Sequence, residues 1–349
     1  MKTTVCPPVS SIDPHWMRLA EARQLELTKP PGSLGRLEEI ANRCAAIFES
    51  LSFRLSQPRI VLFAGDHGVC AEGVSPYPQE VTAQMLLNFL SGGAAINCLA
   101  QACGIDLQVV DVGVAAPLPQ LPGLTVRRIA SGTRNFCQEP AMTREQTEAA
   151  LRVGFEMAEQ AVAEGCNLLG FGEMGIGNTT TAAALTTVLT GCAPAEAVGR
   201  GTGADEACLA RKIAAVERAL ATHAGRLADP FDILSGIGGF EIAAMCGFCL
   251  GAASCRRPLV MDGFIATAAA AAAVRMEPHV KDYLFAAHLS SEPGHRCLLA
   301  SLDLCPLLDL DMRLGEGTGA ALAMKIMQAA AAAFAGMATF TSAGVSGRK

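Results

Sequence analysis

Aromatic and charged residues are both scarce in this chain of 349 residues. Aromatic residues make up 5% of it, with one tryptophan and two tyrosines, so platforms that stack nucleic-acid bases are not expected. Charged residues make up 17%, and 27 basic against 33 acidic side chains give a net charge of −6. We therefore expect no nucleic-acid partner, since non-specific binding needs a broad basic face, although a local anion pocket remains open.

Long runs of large apolar residues are also missing. Residues 326–347 carry no charge but consist mostly of alanine, glycine, threonine and serine, and the apolar run at 259–274 is short and contains Asp262. Residues 1–14 hold one lysine and lack the apolar stretch of a signal peptide. We therefore expect a cytoplasmic protein with no membrane-spanning segment.

Cysteine, in contrast, is frequent, with fourteen residues in no regular array. Without a secretory signal, reduced thiols that pack as small apolar side chains are expected. Cys246 and Cys249 form a C-x-x-C motif, but no second pair follows at zinc-finger spacing and no histidine is near. The motif therefore favours a buried structural pair over a redox or metal site.

Short apolar runs alternate with helical patterns along most of the chain. The runs end in glycine or aspartate and lie at 59–64, 107–112, 167–171 and 258–261. Nearly continuous apolar runs are typical of strands buried on both faces of a parallel sheet. Helices are predicted at about 81–102, 143–164, 179–190, 205–223, 266–276 and 317–335. The pattern predicts an α/β fold with helices on both faces of the sheet.

The first fifty residues differ from the rest, because they read as two helices at about 14–27 and 35–49. With the C-terminal helix they are expected to form a small helical domain, residues 1–50 with about 317–349, beside a large α/β domain, residues 51–316. Ligands of open parallel sheets bind beyond the carboxyl ends of the strands. The glycine-rich loops at the predicted strand ends are therefore the candidates for a functional site.

One such loop, Gly170–Gly175, fits G-x-G-x-x-G and suggests a dinucleotide site, so an NAD-dependent oxidoreductase is one alternative. Glu196 is a poor match for the acidic residue that such a site requires, and Asn178 stands where a P-loop has its lysine. More generally, free backbone N–H groups where Gly175–Thr179 opens a helix favour a phosphate. A tight turn that merely needs glycine is the alternative.

A second glycine-rich loop, Gly199–Gly203, precedes a helix that carries Arg211 and Lys212. Its glycines would let the backbone approach a ligand, and a lysine can neutralise a phosphate as a point charge. A surface loop with a solvated basic helix face explains the same residues, and the sequence does not decide between the two.

Two glutamates stand at glycine-rich turns. Glu316 lies between glycines before an alanine-rich helix, where a helix-capping role and a role as general base are both open. In an apolar cleft its pKa would rise toward neutral pH, which suits a base. Glu173 ends a predicted strand, and paired carboxylates suggest acid–base chemistry at a glycosidic bond.

Asp66 and His67 follow the first predicted strand directly. No third ligand follows at a recognisable spacing, so a hydrogen-bonded pair that fixes the loop is expected rather than a metal site. The other histidines are expected to form no cluster. No G-x-S-x-G elbow is present, which argues against a serine hydrolase.

Four motifs together resemble one enzyme family, the nicotinate-nucleotide:dimethylbenzimidazole phosphoribosyltransferases. They lie in the family's order, within about residues 29–328, at 29–38, 64–69, 172–180 and 312–323. The resemblance implies that phosphoribosyl moves from nicotinate mononucleotide to 5,6-dimethylbenzimidazole or a related azole, with inversion to α-ribazole 5′-phosphate and release of nicotinate. It further implies a homodimer with a Rossmann-like large domain and a small helical domain from both chain ends, and no metal or other cofactor.

The resemblance also implies residue roles. Glu316 matches the catalytic base and Glu173 a second active-site carboxylate. The residues that align with the phosphate and ribose side are Gly175, Ile176, Gly177, Asn178, Thr179, Gly203, Lys212, Ser290 and Ser291. Those that fall at the base pocket are Ser75, Tyr77, Gln84 and Leu314. A non-catalytic nucleotide-binding module remains an alternative to the enzyme.

Overall fold

One parallel six-stranded sheet lies at the centre of the molecule. The computed structural model describes residues 8–119, 121–201 and 203–346, so the outermost parts of both expected terminal segments lie outside the described residues. The strands are β1 (Pro58–Gly65), β2 (Asp106–Gly113), β3 (Leu124–Val126), β4 (Leu168–Met174), β5 (Leu259–Met261) and β6 (Leu284–Ala286).

The strand order is β3-β2-β1-β4-β5-β6, the Rossmann-type order in which the sheet grows outward in both directions from a central pair. All neighbours are parallel, and β1 pairs with both β2 and β4. The four predicted strands and the α/β class are confirmed. The chain reverses its direction of growth between β1 and β4, so a crevice is expected outside the carboxyl ends of these strands.

Helices surround the sheet and connect its strands. They are α1 (Pro14–Glu26), α2 (Arg36–Phe48), α3 (Glu80–Leu90), α4 (Ala95–Cys103), α5 (Arg144–Ala163), α6 (Asn178–Thr190), α7 (Pro194–Ala197), α8 (Glu206–Thr222), α9 (Pro230–Ile237), α10 (Phe240–Ser254), α11 (Phe264–Met276), α12 (Pro293–Leu302), α13 (Thr318–Gly336) and α14 (Phe340–Ala343). Two 3₁₀ turns lie at Gly68–Glu72 and Pro278–Tyr283.

The helix expected at 81–102 is in fact two helices, so that prediction was wrong in extent. The chain leaves the helical path at Ser91–Gly93, where Gly92 has a φ of 77°, between α3 and α4. Glycine adopts this left-handed conformation without steric cost, and two glycines in succession are a poor continuation of a helix.

Helix α10 was not predicted, because it is buried on every side and therefore has no amphipathic period. It packs tightly on α5: a Cβ built at Gly154 of α5 would lie 2.7 Å from the backbone nitrogen of Phe248. Cys246 and Cys249 lie on α10 and are fully buried. No disulfide joins the cysteines of the described ranges.

The two ends of the chain meet in space. Helix α2 packs against both α1 and α13, and α13 also contacts β4. In the loop between α1 and α2, Lys29 is buried and its Nζ lies 2.7 Å from Glu38 Oε1.

The segments Glu80–Cys103 and Thr318–Gly336 have the length and apolar composition of a membrane span. Length and composition alone are weak evidence for a membrane span, because the buried core helices of other proteins pass the same test. The first segment is also broken between α3 and α4.

Candidate active site

An open cavity lies at the carboxyl ends of β4, β5 and β6, where ligands of open parallel sheets bind. Each of these strands delivers one titratable side chain to its wall. They are Glu173 at the end of β4, Asp262 directly after β5 and His288 two residues after β6. Glu316, in the turn before α13, completes this part of the wall.

Glu316 is held in an unusual backbone conformation. Its φ is +65°, and its neighbours Gly315 and Gly317 have φ values of 82° and 86°. A left-handed conformation is strained for a residue with a Cβ, and such strain concentrates at functional sites. The side chain is 6% exposed, and its Oε2 has no hydrogen-bond partner among the described residues. Burial, with a smaller contribution from Asp262, raises the pKa of Glu316 to about 7.

The turn that carries Glu316 is fixed by Asp262. Its Oδ2 accepts a hydrogen bond from the Gly317 N–H at 3.1 Å, and its Oδ1 accepts from Gly319 and Ala320 at 2.7 and 3.0 Å. A carboxylate at the N-terminus of α13 also interacts favourably with the helix dipole. Burial nevertheless raises the pKa of Asp262, while His288 and these backbone N–H groups oppose the rise.

Glu173 faces the same turn from β4. A Cβ built at Gly315 would overlap Glu173 Oε1, which places this carboxyl group against the Glu316 turn. The Asn178 side-chain amide donates a hydrogen bond to Glu173 Oε2. Burial, followed by the charges of Glu241, Asp262 and Glu316, raises the pKa of Glu173 well above its ordinary value. Three carboxyl groups with raised pKa values, those of Glu173, Asp262 and Glu316, therefore share one wall, an arrangement suited to proton transfer near neutral pH.

An adjoining part of the wall suits an anion. Gly177, with a φ of 95°, is the N-cap of α6, and no side chain caps this helix. Asn178 and Thr179 line the cavity, so the N-terminus of α6 brings the positive end of the helix dipole to its wall. Cys70 stabilises the turn before α6, since its Sγ donates a hydrogen bond to the Ile176 carbonyl oxygen at 3.0 Å.

Lys212 reaches this turn from α8. It is 1% exposed, and its Nζ donates to Thr179 Oγ1 at 3.0 Å and to the Gly199 carbonyl oxygen at 2.8 Å. Burial lowers the pKa of Lys212, and the nearby Glu292 opposes that effect. Glu292 in turn accepts a hydrogen bond from the Gly201 N–H at 2.8 Å. Lys212 and Glu292 together hold Gly199 and Gly201 beside the turn Gly175–Thr179. The buried ammonium of Lys212 is therefore not on a solvated helix face.

The structure brings most of the predicted site residues into one cavity wall. Its lining includes Ser75, Glu173, Gly175, Ile176, Gly177, Asn178, Thr179, Lys212, Ser290, Leu314 and Glu316. Four other predicted residues do not line it, namely Tyr77, Gln84, Gly203 and Ser291. Tyr77 is 48% exposed, and its N–H donates to Ser75 Oγ at 3.1 Å.

The prediction that Asp66 and His67 bond to each other was wrong, because each of them bonds to other residues. Asp66 accepts hydrogen bonds from Thr82 Oγ1 at 2.6 Å and from the Ala115 N–H at 2.7 Å. His67 is fully buried, and its Nε2 lies 2.6 Å from Glu241 Oε1. Both residues thus fix the loop after β1, but through different neighbours. No group of three or more metal-ligating side chains occurs among the described residues.

Two of the remaining histidines lie side by side, although no group of three or more metal-ligating side chains includes them in the described ranges. The rings of His288 and His295 lie 6.3 Å apart, centroid to centroid, in the wall behind Ser290. Sequence reasoning assigned no role to His288, Asp262 or Glu292. Asp262 carried a usable signal, since it directly follows a predicted strand, whereas the three-residue strand before His288 gave none.

Comparisons with known proteins agree on one family. A family profile described as phosphoribosyltransferase matches residues 9–345. The nicotinate-nucleotide–dimethylbenzimidazole phosphoribosyltransferase of Chloroflexus aggregans is 51% identical over 98% of this chain and 97% of its own length. The enzyme of the same name from Cupriavidus necator is 52% identical over 97% of this chain and 98% of its own.

Solved structures give the same result. The crystal structure of the enzyme of this name from Thermus thermophilus has a TM-score of 0.91 and 51% identity, and the match covers 97% of this chain and 100% of that one. A second structure, titled CobT from the same organism, has a TM-score of 0.92 and 53% identity over 95% and 99% of the two chains. This chain therefore belongs to the nicotinate-nucleotide–dimethylbenzimidazole phosphoribosyltransferase family.

Proposed function

We propose that this chain transfers phosphoribosyl from nicotinate mononucleotide to 5,6-dimethylbenzimidazole or a related azole, with Glu316 as the base. The observation that carries the proposal is a buried carboxyl group with a pKa of about 7 and an unpaired oxygen, in one cavity with a helix N-terminus and a buried lysine. A base and an anion site in one cavity are what a transfer between a ribose phosphate and a heterocycle requires.

In the proposed reaction, the unprotonated nitrogen of the azole attacks the anomeric carbon from the face opposite nicotinate. The new C–N bond forms as the bond to the pyridinium nitrogen breaks, so the anomeric centre inverts from β to α. The electron pair of the broken bond stays on the nicotinate ring, which leaves as a neutral pyridine with its carboxylate. Glu316 takes the proton from the other azole nitrogen, and this proton later passes to solvent.

Acid assistance to the leaving group is not needed, because the pyridinium loses its positive charge as it departs. Most of the acceleration must then come from holding the two reactants in line and from removing one proton. For Glu173 we propose a supporting role, in which its carboxyl group positions the ribose or assists Glu316.

The phosphate is assigned to the turn Gly175–Thr179, with Lys212 as its counter-charge and Gly203, Ser290 and Ser291 toward the ribose. Two of the three ammonium protons of Lys212 are used, on Thr179 and Gly199, which leaves the third for a phosphate oxygen. This end of the substrate is distant from the reacting bond and does not change in the reaction, so its binding serves mainly to hold the nucleotide in the site.

Replacing Lys212 by methionine, which keeps an unbranched apolar side chain but removes the ammonium, is expected to raise KM for nicotinate mononucleotide at least tenfold. The ammonium contributes to binding in the ground state and the transition state alike, so kcat should change much less. Steady-state kinetics at saturating azole measure this. Lys281→Met, at an exposed ion pair with Asp303, is the matched control. An unchanged KM in Lys212→Met would remove the lysine from the phosphate site.

The acceptor base is assigned to the side of the cavity formed by Ser75 and Leu314, with Tyr77 and Gln84 adjoining it.

We further propose that the terminal segments, residues 1–50 and about 317–349, act as a small helical domain beside residues 51–316. The contacts of α2 with α1 and α13 support that division. A homodimer in the cytoplasm completes the proposal, and the absence of disulfides in the described ranges is consistent with a reducing compartment.

The test is to incubate the purified chain with nicotinate mononucleotide and 5,6-dimethylbenzimidazole and to identify the products by chromatography. We expect nicotinate and α-ribazole 5′-phosphate in equal amounts. A binding module would bind the nucleotide without releasing nicotinate, and an oxidoreductase would bind NADH tightly, which a fluorescence titration detects. Either of these results, without product formation, would contradict the proposal.

A further inference from the structure

The wall of the cavity contains several buried polar atoms that have no hydrogen-bond partner among the described residues. They are Glu316 Oε2, Glu292 Oε2 and both ring nitrogens of His288. Buried polar atoms are normally paired, because leaving one unpaired is costly. Such a group of unpaired atoms in one wall therefore indicates a polar ligand that pairs with them on binding. Glu316 already has a role as the base, whereas His288 has none.

His288 differs sharply from the histidine beside it. Both are almost fully buried, at 1% exposure for His288 and 0% for His295. His295 has two partners, since its Nδ1 accepts from the Ser290 N–H at 2.9 Å and its Nε2 lies 2.9 Å from Thr267 Oγ1. Burial lowers the pKa of His295 to about 3, so it is a neutral structural residue. Neither ring nitrogen of His288 has a hydrogen-bond partner among the described residues. His288 lines the cavity, whereas His295 does not.

The imidazole of His288 can accept a hydrogen bond from a ligand. Its Nε2 lies 3.8 Å from Asp262 Oδ1, which is too long for a hydrogen bond, and neither ring nitrogen has a partner among the described residues. A neutral imidazole has one nitrogen with a free lone pair, which is an acceptor for a hydroxyl group. A Cβ built at Gly263 would lie 3.0 Å from Nε2, so a side chain at this position would crowd the ring.

His288 also lies between the two ends of the site. On one side, Asp262 bonds the Gly317 N–H next to the base, Glu316. On the other side, the chain continues to Glu292, which holds Gly201 beside the proposed phosphate site. The part of the nucleotide between the phosphate and the anomeric carbon is the ribose, whose hydroxyl groups can donate hydrogen bonds.

We propose that His288 accepts a hydrogen bond from the 2′- or the 3′-hydroxyl of the ribose of the bound nucleotide and thereby selects nucleotides that carry this hydroxyl. The inference rests on the proposed function, because it assigns a further substrate contact in the same site. His288 is in this account a substrate-binding residue that takes no part in the transfer of protons.

The test measures kcat/KM for nicotinate mononucleotide and for its 2′-deoxy and 3′-deoxy analogues, with the wild type and His288→Leu. We expect the wild type to prefer the ribonucleotide over one of the analogues by about tenfold. His288→Leu should lose about tenfold on the ribonucleotide but nothing further on that analogue, because the lost hydroxyl has no partner left. Comparing one substrate in two enzymes removes differences in intrinsic reactivity between the analogues.

The proposal would be overturned if His288→Leu lowered kcat/KM for both analogues by the same factor as for the ribonucleotide. A wild-type kcat/KM in His288→Leu would also overturn it. His288→Gln keeps an acceptor oxygen and should retain more of the preference than His288→Leu, whereas equal losses would count against a hydrogen bond. If His288→Leu does not fold, His288→Asn is measured in its place. The asparagine side chain is too short to reach the ribose hydroxyl, so this variant should also lose the hydrogen bond. His279→Leu, an exposed position, is the control. A wild type that releases no nicotinate from nicotinate mononucleotide would instead contradict the proposed function.

Discussion

Glu316→Gln is expected to lower kcat by about 100- to 10,000-fold, the range typical of losing a general base. Glutamine has nearly the same shape but cannot take the proton of the azole, so binding of both substrates should be largely unchanged. The residual rate would come from holding the two reactants in line. Single-turnover kinetics with chromatographic detection of nicotinate measure the chemical step directly. Glu21→Gln, exposed on α1 and far from the cavity, is the matched control.

The pKa of Glu316 gives this variant a second signature. In the wild type, kcat/KM should rise about tenfold per pH unit below about 7 and level off above it, because only the ionised form is a base. The residual kcat/KM of Glu316→Gln should lack that rise. A wild-type kcat, or the same pH profile in the variant, would remove Glu316 from the proton transfer.

The same pKa predicts a change in the free energy of unfolding. The folded protein binds the Glu316 proton more tightly than the unfolded chain, whose ordinary pKa is 4.5. Between these values the folded state holds more protons, so ionisation of Glu316 lowers stability as the pH rises from about 4.5 to about 7. Glutamine has no such cost, and Glu316→Gln should be more stable than the wild type at pH 8 by on the order of 1 kcal/mol.

The long central strands could be predicted from the sequence because burial on both faces leaves nearly continuous apolar runs. Strands β3 and β6 have three residues each, which is too short for a period of two to stand out. Helix α10 was hidden for a different reason: a helix that is apolar all round lacks the contrast between faces on which the prediction of α5 depended.

The candidate site was predictable where its chemistry is encoded locally. Glycines around Glu316 and before α6 mark backbone conformations that only certain residues tolerate, and these positions are visible in the sequence. The partners that fix the site are not visible in this way. Asp262 binds the backbone of residues more than fifty positions later in the chain, and Glu292 binds Gly201, so both depend on the tertiary fold.

Gly172→Ala is expected to destabilise the protein by about 1–3 kcal/mol and to lower kcat by about 100-fold or more. Gly172 lies in β4 directly below the turn that carries Glu316. A Cβ built there would lie 2.5 Å from the carbonyl carbon of Glu316 and 2.6 Å from Gly317 Cα. Both contacts are with backbone, so no side chain can rotate away, and the turn itself must move. Because Asp262 and the left-handed backbone already fix this turn, movement displaces the carboxyl group of Glu316.

Gly336→Ala is the matched control, since a Cβ at this last residue of α13 meets nothing within 4 Å. Alanine is favoured over glycine in a helix, so this variant should be slightly more stable than the wild type, by about 0.5–1 kcal/mol, with unchanged kcat. Thermal unfolding and kcat are measured on both variants at one pH. If Gly172→Ala kept the wild-type kcat, the close packing of β4 under the Glu316 turn would have no part in placing the base, and the strained backbone of that turn would need another explanation.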